Sequence, residues 1–421
     1  MAQNKAGDST LTEVTLKAAV DYSIVHQAAI QQSVIDQEIT EANIRSKLSD
    51  WYPQVNFNYA LQHNFVVQTS VIGGNPVKLG VDNTSAAQFS MTQSVFNRDV
   101  LLASRTAREI RLQARQTTSN TKINIASNVS KAFYDLITSI QQVRVATENI
   151  TRIQRSLTHA YNQYRAGVAD KTDYKRATIA LNNAIASKKS NEELLKAKHE
   201  YLKSLMGYPA SQPLNIVYDS LQMEKDAYMD TLQNADYTNR IEFRLLSTQQ
   251  SLLQANLKYE KWSYLPSVGL NGAYNFNYLN NNFSRLYNTN YPNSFAALTL
   301  SLPIFQGGRR KADIDAAQWQ VQRGRLDIIN LRNEVNAEYA LALANYKANW
   351  ADYSALKENL NLAREVYDVI QLQYRSGIKA YLEVINSETD LRTAQINYYN
   401  ALSNLLASKI DVEKALGQIN Y

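Results

Sequence analysis

Two stretches of this chain are almost free of the residues that end helices. Residues 97–206 contain no proline and a single glycine, Gly167, and residues 309–416 contain no proline and two glycines, Gly324 and Gly377. Because proline and glycine are the strongest helix breakers, each stretch is predicted to be very long helix with an interruption. Helices of this length cannot bury an apolar stripe inside a compact globule, so they must pack lengthwise against one another.

The composition excludes several classes of protein. Cysteine is absent, which excludes disulfides and thiolate metal sites. The formal charge of +6 is not gathered into a dense basic block, so we expect no nucleic-acid partner. The densest basic cluster, Arg309-Arg310-Lys311, is interpreted as a solvated helix start. The four histidines are scattered and no nucleophile lies in a catalytic motif, so we expect no enzyme, metal site or cofactor.

Four shorter segments alternate between apolar and polar residues with a period of two, at about residues 53–67, 85–96, 266–279 and 294–304. In the first of them, for example, Phe57 falls on the apolar face. An antiparallel sheet over a soluble core would alternate in the same way, so this alternative stays open. The segment lengths, near the roughly 10 residues of a membrane-spanning strand, and the uncharged polar faces favour a transmembrane β-barrel with a watery interior.

Such a barrel requires more than one chain, because every backbone N–H and C=O group within the lipid must be hydrogen-bonded. Four strands cannot close on themselves, and unpaired strand edges are not tolerated in lipid. Two chains would give eight strands around a filled interior, whereas three chains would give twelve strands around a conduit. Since no apolar run approaches the roughly 18 to 20 residues of a membrane-spanning helix, a helical membrane protein is excluded.

A short phrase occurs twice in the chain. Gln-Tyr-Arg-x-Gly stands at residues 163–167 and again at residues 373–377, and an apolar heptad pattern leads into each copy. Each copy is predicted to be the tip of a helical hairpin, because Gly167 and Gly377 permit the backbone of a reversal.

The duplication extends over most of the sequence. Pro53 matches Pro266, each at the start of a predicted strand. We therefore predict two repeats, residues 1–210 and 224–417, each with the order helix, strand, strand, long helix, tip and returning helix.

Four motifs follow one another over nearly the whole chain: "YNQYRAGVADKTD" from Tyr161, "YLPSVGLNGAYNF" from Tyr264, "LSLPIFQGGRRKADIDAA" from Leu300 and "LQYRSGIKAYLEV" from Leu372. In this order they resemble the TolC-type outer-membrane efflux proteins. It implies a homotrimer whose twelve-stranded barrel, with four strands per chain, continues as a long periplasmic α-helical coiled-coil barrel. It also implies an equatorial segment at residues 208–236, joined by the C-terminal end at residues 418–421.

The resemblance further implies a passive exit duct in the outer membrane of a Gram-negative bacterium, in contact with outer-membrane lipid. Its partners would be a periplasmic adaptor and an inner-membrane pump of the RND or the ABC type, so type I protein secretion is an alternative to the efflux of drugs or other small molecules. A non-transporting coiled-coil scaffold is a further alternative. The sequence lacks a secretory signal, and we expect its first residues to represent a mature, processed terminus.

Site residues are implied at the two tips. Gly167, Val168, Gly377 and Ile378 correspond to the loops that dock the adaptor. The two glycines also have a simpler explanation: the turn needs them whether or not an adaptor docks there.

A periplasmic gate is implied by Asp173, which corresponds to an acid that ties the closed tips together through Tyr374 and Lys379. Lys379 departs from the arginine often found there, which would remove a bidentate contact. Glu383 corresponds to an acidic ring at the pore constriction, whereas Asn386 stands where a second ring is often acidic. The simpler readings are that Asp173, like Asp170, supports the start of the returning helix, and that Tyr374 packs in the core.

Overall fold

A computed structural model describes residues 13–419 of the chain. In chain order its helices and strands are α1 (Leu16–His26), α2 (Ala28–Leu48), β1 (Gln54–His63), β2 (Thr69–Ile72), β3 (Asn75–Lys78), β4 (Asn83–Phe96), α3 (Arg98–Arg165), α4 (Lys171–Met206), α5 (Ser220–Asp226), α6 (Ile241–Lys261), β5 (Ser267–Asn280), β6 (Asn293–Ser301), α7 (Arg309–Arg375) and α8 (Tyr381–Leu416). The start of the first predicted repeat, residues 1–12, and the last two residues of the predicted C-terminal end, 420–421, lie outside the described residues. None of the helices described is both long and apolar enough to cross a membrane.

The order of the elements is duplicated. α2, β1, β4, α3 and α4 are followed by α6, β5, β6, α7 and α8, which have the same types in the same order. A short 3-10 turn precedes the first strand of each set, at Ser49–Trp51 and at Trp262–Tyr264. The predicted fold class is thereby confirmed for the single chain: it is mainly helical and contributes four long strands. At about 1.5 Å per residue, the 68 residues of α3 extend over about 100 Å.

The four long strands form one antiparallel sheet in the order β1-β4-β5-β6. Its register sets Phe57 beside Phe89 and Phe89 beside Tyr274, so the apolar faces of the strands join into one surface. One row on the opposite face consists of uncharged polar residues, Asn58, Gln88, Asn275 and Asn293. The alternation seen in the sequence therefore becomes a sheet with an apolar side and a polar side.

A two-stranded hairpin, β2 and β3, lies in the connection between β1 and β4, where no strand is predicted from the sequence. Its two-residue turn is Gly73-Gly74, and both glycines have positive φ, 60° and 89°. This backbone matches the twist of a hairpin, and Gly-Gly between short strands is a known signal for it. The signal was present in the sequence, but proline at position 76 and the polar surroundings concealed it.

The described chain divides into two compact units, and each takes residues from both sequence repeats. One unit, Asp36–Ala114 and Leu246–Asp327, contains the sheet. The other consists of residues up to Ile35 and of residues 115–245 and 328 onward. Its helical core includes Leu136, Leu202 and Leu405, which are fully buried.

Arg240 joins three elements of the helical unit. Its side chain is buried, and its Nε and Nη2 each donate to Glu242 at 3.0 Å, while Nη1 donates to Glu338 Oε2 at 2.9 Å. Nη1 also donates to the Ala415 carbonyl near the end of α8, at 3.3 Å. Burial opposes ionisation of Glu242, but the hydrogen bonds from Arg240, a backbone hydrogen bond and the charges of Arg240 and Lys414 together lower the pKa of that carboxyl.

Candidate functional site: the two hairpin tips

Both helical hairpins reverse through the same backbone geometry. Gly167 and Gly377 each have φ 74°, and the N–H of each donates to the carbonyl three residues earlier at 3.0 Å. The N–H of Val168 and that of Ile378 each donate to the carbonyl five residues earlier, at 2.9 Å. This pair of bonds is a Schellman motif, which requires a left-handed residue at the position of the glycine. The repeated phrase is thus a repeated helix stop.

The two returning helices begin differently. Asp170 caps α4, since its Oδ1 accepts from the N–H of Thr172 at 2.7 Å, and this bond lowers the pKa of the Asp170 carboxyl. At the same position before α8 stands Ala380, whose side chain makes no capping bond. The capping role therefore belongs to Asp170, while Asp173 lies in the first turn of α4, where a carboxylate favours the helix dipole.

A small buried cluster lies below the tips and joins the two hairpins. It consists of Ala177 on α4, Tyr374 on α7, and Tyr381 and Val384 on α8, all at most 6% exposed. The rings of Tyr374 and Tyr381 are 5.7 Å apart between centroids. The Tyr374 hydroxyl donates to Oε1 of Gln163, near the end of α3, at 2.9 Å. Tyr374 is thus a core residue, and its hydroxyl also links α7 to α3 by a hydrogen bond.

The three residues predicted for the gate lie in different surroundings. Burial raises the pKa of Tyr374, and the nearby Asp173 carboxylate raises it further. Asp173 therefore acts on Tyr374 through its charge, while the hydroxyl bonds to Gln163. Lys379 is exposed, and within the described chain it forms no ion pair with Asp173.

The residues predicted to face partners are open to solvent in the single chain. Val168 is 78% exposed and Ile378 is 71% exposed, so each tip ends in an apolar side chain that is open to solvent. Glu383 and Asn386 are both exposed on α8. The tips thus present apolar side chains at their ends and polar ones along the returning helix.

A buried ion pair on these hairpins was not predicted from the sequence. Glu388 on α8 is 5% exposed, and its Oε1 lies 3.5 Å from Nε of Arg152 on α3. Burial raises the pKa of Glu388 to about 7, although the guanidinium of Arg152 favours the ionised form. One signal was available, because this acid occupies a position of the apolar heptad stripe formed by Tyr381, Val384, Glu388 and Leu391.

The tips present exposed apolar side chains rather than a cluster of metal-binding groups. Among residues 13–419, no group of three or more histidine, cysteine, aspartate or glutamate side chains is placed to hold a metal ion. The exposed apolar turns, at the ends of long helices, are a surface that another protein can bind.

Known proteins match along almost the whole chain. Residues 20–208 and 238–418 match the family model of the outer membrane efflux proteins. Outer membrane protein TolC of Escherichia coli (strain K12) is 20% identical over 404 residues, which cover 93% of this chain and 80% of TolC. The antibiotic efflux pump outer membrane protein ArpC of Pseudomonas putida is 21% identical over 414 residues, 96% of this chain and 82% of ArpC.

The fold is similar to that of solved channels. The Neisseria gonorrhoeae MtrE outer membrane channel, crystallised in its open state, superposes with a TM-score of 0.76 at 19% identity, over 96% of this chain and 88% of MtrE. The likeness therefore extends over most of the helices and strands of this chain.

Proposed function

Since this chain belongs to the outer membrane efflux protein family, we propose that it is the outer-membrane exit duct of a tripartite efflux pump. The family consists of transport proteins of the Gram-negative outer membrane, so the chain is not an enzyme. Its action is passive: substrates pass through it after it has docked to a periplasmic adaptor and an inner-membrane transporter. The antibiotic efflux named for the Pseudomonas putida relative supports drugs or other small molecules as cargo.

The observation that carries this proposal is the open four-stranded sheet. β1 and β6 are its edges, and every residue of β1 is exposed. Its apolar face is exposed too, with Phe57 at 58% and Leu298 at 70%. In lipid each unpaired backbone group is costly, so both edges must pair with strands of other copies.

Three copies satisfy this requirement and leave room for transport. Twelve strands enclose a conduit, whereas eight would be filled by side chains. In the homotrimer the apolar face of the sheet contacts outer-membrane lipid and the uncharged polar rows line the lumen. The long helices form the periplasmic coiled-coil barrel, with residues 208–236 and the C-terminal end as its equatorial belt.

The tips are the proposed docking surface for the adaptor. Gly167 and Gly377 shape them, and the exposed Val168 and Ile378 supply apolar contact area. Because the two turns have the same geometry, each protomer offers two similar docking sites.

Gating is proposed to involve the residues next to the tips. Asp173 lies close enough to act on Tyr374, and Lys379 is free to meet an acid of a neighbouring hairpin in the trimer. Glu383 would form an acidic ring favouring cations, with the uncharged Asn386 one turn further on.

Photo-crosslinking from the tips tests the proposal. A photoreactive amino acid is placed at Val168 or Ile378 in the native cell, and the captured partner is identified by mass spectrometry. Leu232 is a matched control, because it is 87% exposed but belongs to the equatorial segment.

Capture from both tips, but not from Leu232, of an adaptor that works with a proton-driven RND-type pump is the expected result. An adaptor that works with an ABC-type exporter would instead favour protein secretion. Capture of no adaptor in cells that express a pump would overturn the docking assignment and favour a scaffold.

A further inference from the structure

The segment that follows β6 exposes two large apolar side chains to solvent. β6 ends at Ser301, and beyond it Ile304 is 92% exposed and Phe305 is 87% exposed. Gly307 and Gly308 then turn the chain into α7, with φ of 59° and 86°. Isolated apolar residues are common on protein surfaces, but two adjacent and almost fully exposed ones form a candidate contact surface for a lipid or a protein.

Three cations follow directly, in the first turn of α7. Arg309, Arg310 and Lys311 stand there, and no acidic residue shares that turn. This is the reverse of the preferred arrangement, because the positive end of the helix dipole repels cations. Arg309 is weakly neutralised, since its side chain is 79% exposed and Asp313 lies 3.7 Å away. An external anion would relieve this repulsion.

Arg310 holds the segment in place. Its guanidinium lies over the ring of Tyr264 at 4.4 Å from the centroid, and its Nη2 donates to the Pro303 carbonyl at 2.7 Å. Its Nε is buried and meets no acceptor among the described residues. The apolar side chains and the neighbouring cations are therefore held on one ordered turn.

This turn lies at the edge of the sheet where the helices attach. In the antiparallel sheet, β1 and β5 begin at this edge and β6 ends there. Exposed aromatic residues flank the starts of the strands: Tyr52 before β1 is 69% exposed and Tyr264 before β5 is 58% exposed. Aromatic residues at strand ends are typical of the level of the lipid headgroups.

We propose that the turn at residues 302–311 binds the headgroup of an acidic phospholipid. Ile304 and Phe305 enter the interface between headgroups and acyl chains, and Arg309 and Lys311 meet the lipid phosphate. The inference rests on the proposed function, since it requires the sheet to lie in the membrane. It adds a lipid-selective contact at the periplasmic side of the barrel, where the lipid supplies the anion that α7 lacks.

Tryptophan fluorescence in reconstituted bilayers tests this contact. The full-length protein is placed in vesicles of phosphatidylcholine that contain increasing fractions of brominated phosphatidylglycerol, and separately of brominated phosphatidylcholine. Bromine quenches tryptophan at short range, and Trp262 lies in the 3-10 turn just before β5. The ratio of the two quenching curves measures selectivity for the acidic lipid.

One cation next to the membrane adds about fivefold to the affinity for acidic lipid. We therefore expect brominated phosphatidylglycerol to quench more strongly than brominated phosphatidylcholine. The ratio of the two should fall at least about fivefold in the double variant Arg309→Gln, Lys311→Gln. The matched control, Arg323→Gln with Arg325→Gln, removes the same charge further along α7 and should keep the preference. Equal quenching by both lipids in the unaltered protein would overturn the lipid site but leave the membrane-embedded barrel intact. No quenching by either lipid would overturn both. An equal fall in the control variant would also overturn the site, because it would show an effect of net charge alone.

Discussion

Replacement of Glu388 by glutamine should change how the stability of the protein depends on pH. Glu388 is buried on α8, where it faces Arg152 and Tyr367 from the two long helices and Tyr381 and Arg392 from its own helix. Burial raises its pKa from 4.5 to about 7. The folded state therefore binds this proton more tightly than the unfolded chain does. Stability contributed by this group is present at low pH and is lost as the pH rises through the window from 4.5 to about 7.

The size of the effect follows from the two pKa values. A carboxyl with a pKa of 4.5 when unfolded and about 7 when folded loses about 3 kcal/mol of folding free energy between about pH 4 and about pH 8. The side chain is only 6% exposed, so solvent screens little of this cost. The amide of Glu388→Gln stays neutral at every pH, so any change in packing that it causes is a separate, pH-independent term.

Urea unfolding of the detergent-solubilised protein, followed by circular dichroism, measures the difference. We expect the stability of Glu388→Gln relative to the unaltered protein to rise by about 3 kcal/mol from about pH 4 to about pH 8. Glu365→Gln, which alters an exposed acid on α7, is the control and should show no such rise. A difference between Glu388→Gln and the unaltered protein that stays constant with pH would refute the reasoning.

Three further predictions concern the backbone and its ion pairs. Gly167 and Gly207 both have a left-handed backbone conformation, but a Cβ at 207 would lie 2.7 Å from the last backbone oxygen of α1. Gly167→Ala should therefore lower the free energy of unfolding in urea by about 1 kcal/mol, and Gly207→Ala should lower it by about 3 kcal/mol. Equal losses in the two variants would contradict this overlap. Asp170→Ala should weaken the start of α4 by about 1 kcal/mol, and Ala380→Asp should strengthen the start of α8 by a similar amount. Hydrogen exchange of the first-turn amides measures both, and unchanged exchange in the two variants would argue against the capping assignment. Arg240→Met should cost about 3 to 5 kcal/mol, because it leaves a half-buried carboxylate unpaired; a loss in urea unfolding near zero would show that water replaces the guanidinium.

Much of the fold could be predicted from the sequence because its signals are local. The heptad stripes, the alternation of the four strands and the two tip glycines each depend on residues close together in the chain. The same holds for the site: Gly167 and Gly377 were recognised as helix stops, and their backbone geometry agrees with that reading. The β2–β3 hairpin was also signalled locally, by Gly73-Gly74, and was missed because polar loop residues surround it.

Contacts between distant segments could not be predicted in the same way. The pairing of Tyr374 with Gln163 depends on how α7 lies against α3, and no local pattern sets that alignment. Glu388 could be recognised as an acid on an apolar stripe, but its partner could not be identified until Arg152 was placed beside it.

The sequence alone determined the long helices and the four long strands, where the helical hairpins reverse and that the chain is duplicated, because hydrophobic period and helix breakers act over a few residues. Only the tertiary structure decided that Phe57, Phe89 and Tyr274 form one apolar row and that Arg152 lies beside the buried Glu388. The physical reason is that strand register and helix alignment are set by packing and hydrogen bonding between segments far apart in the chain. Those energies depend on side chains that meet only once the chain has folded.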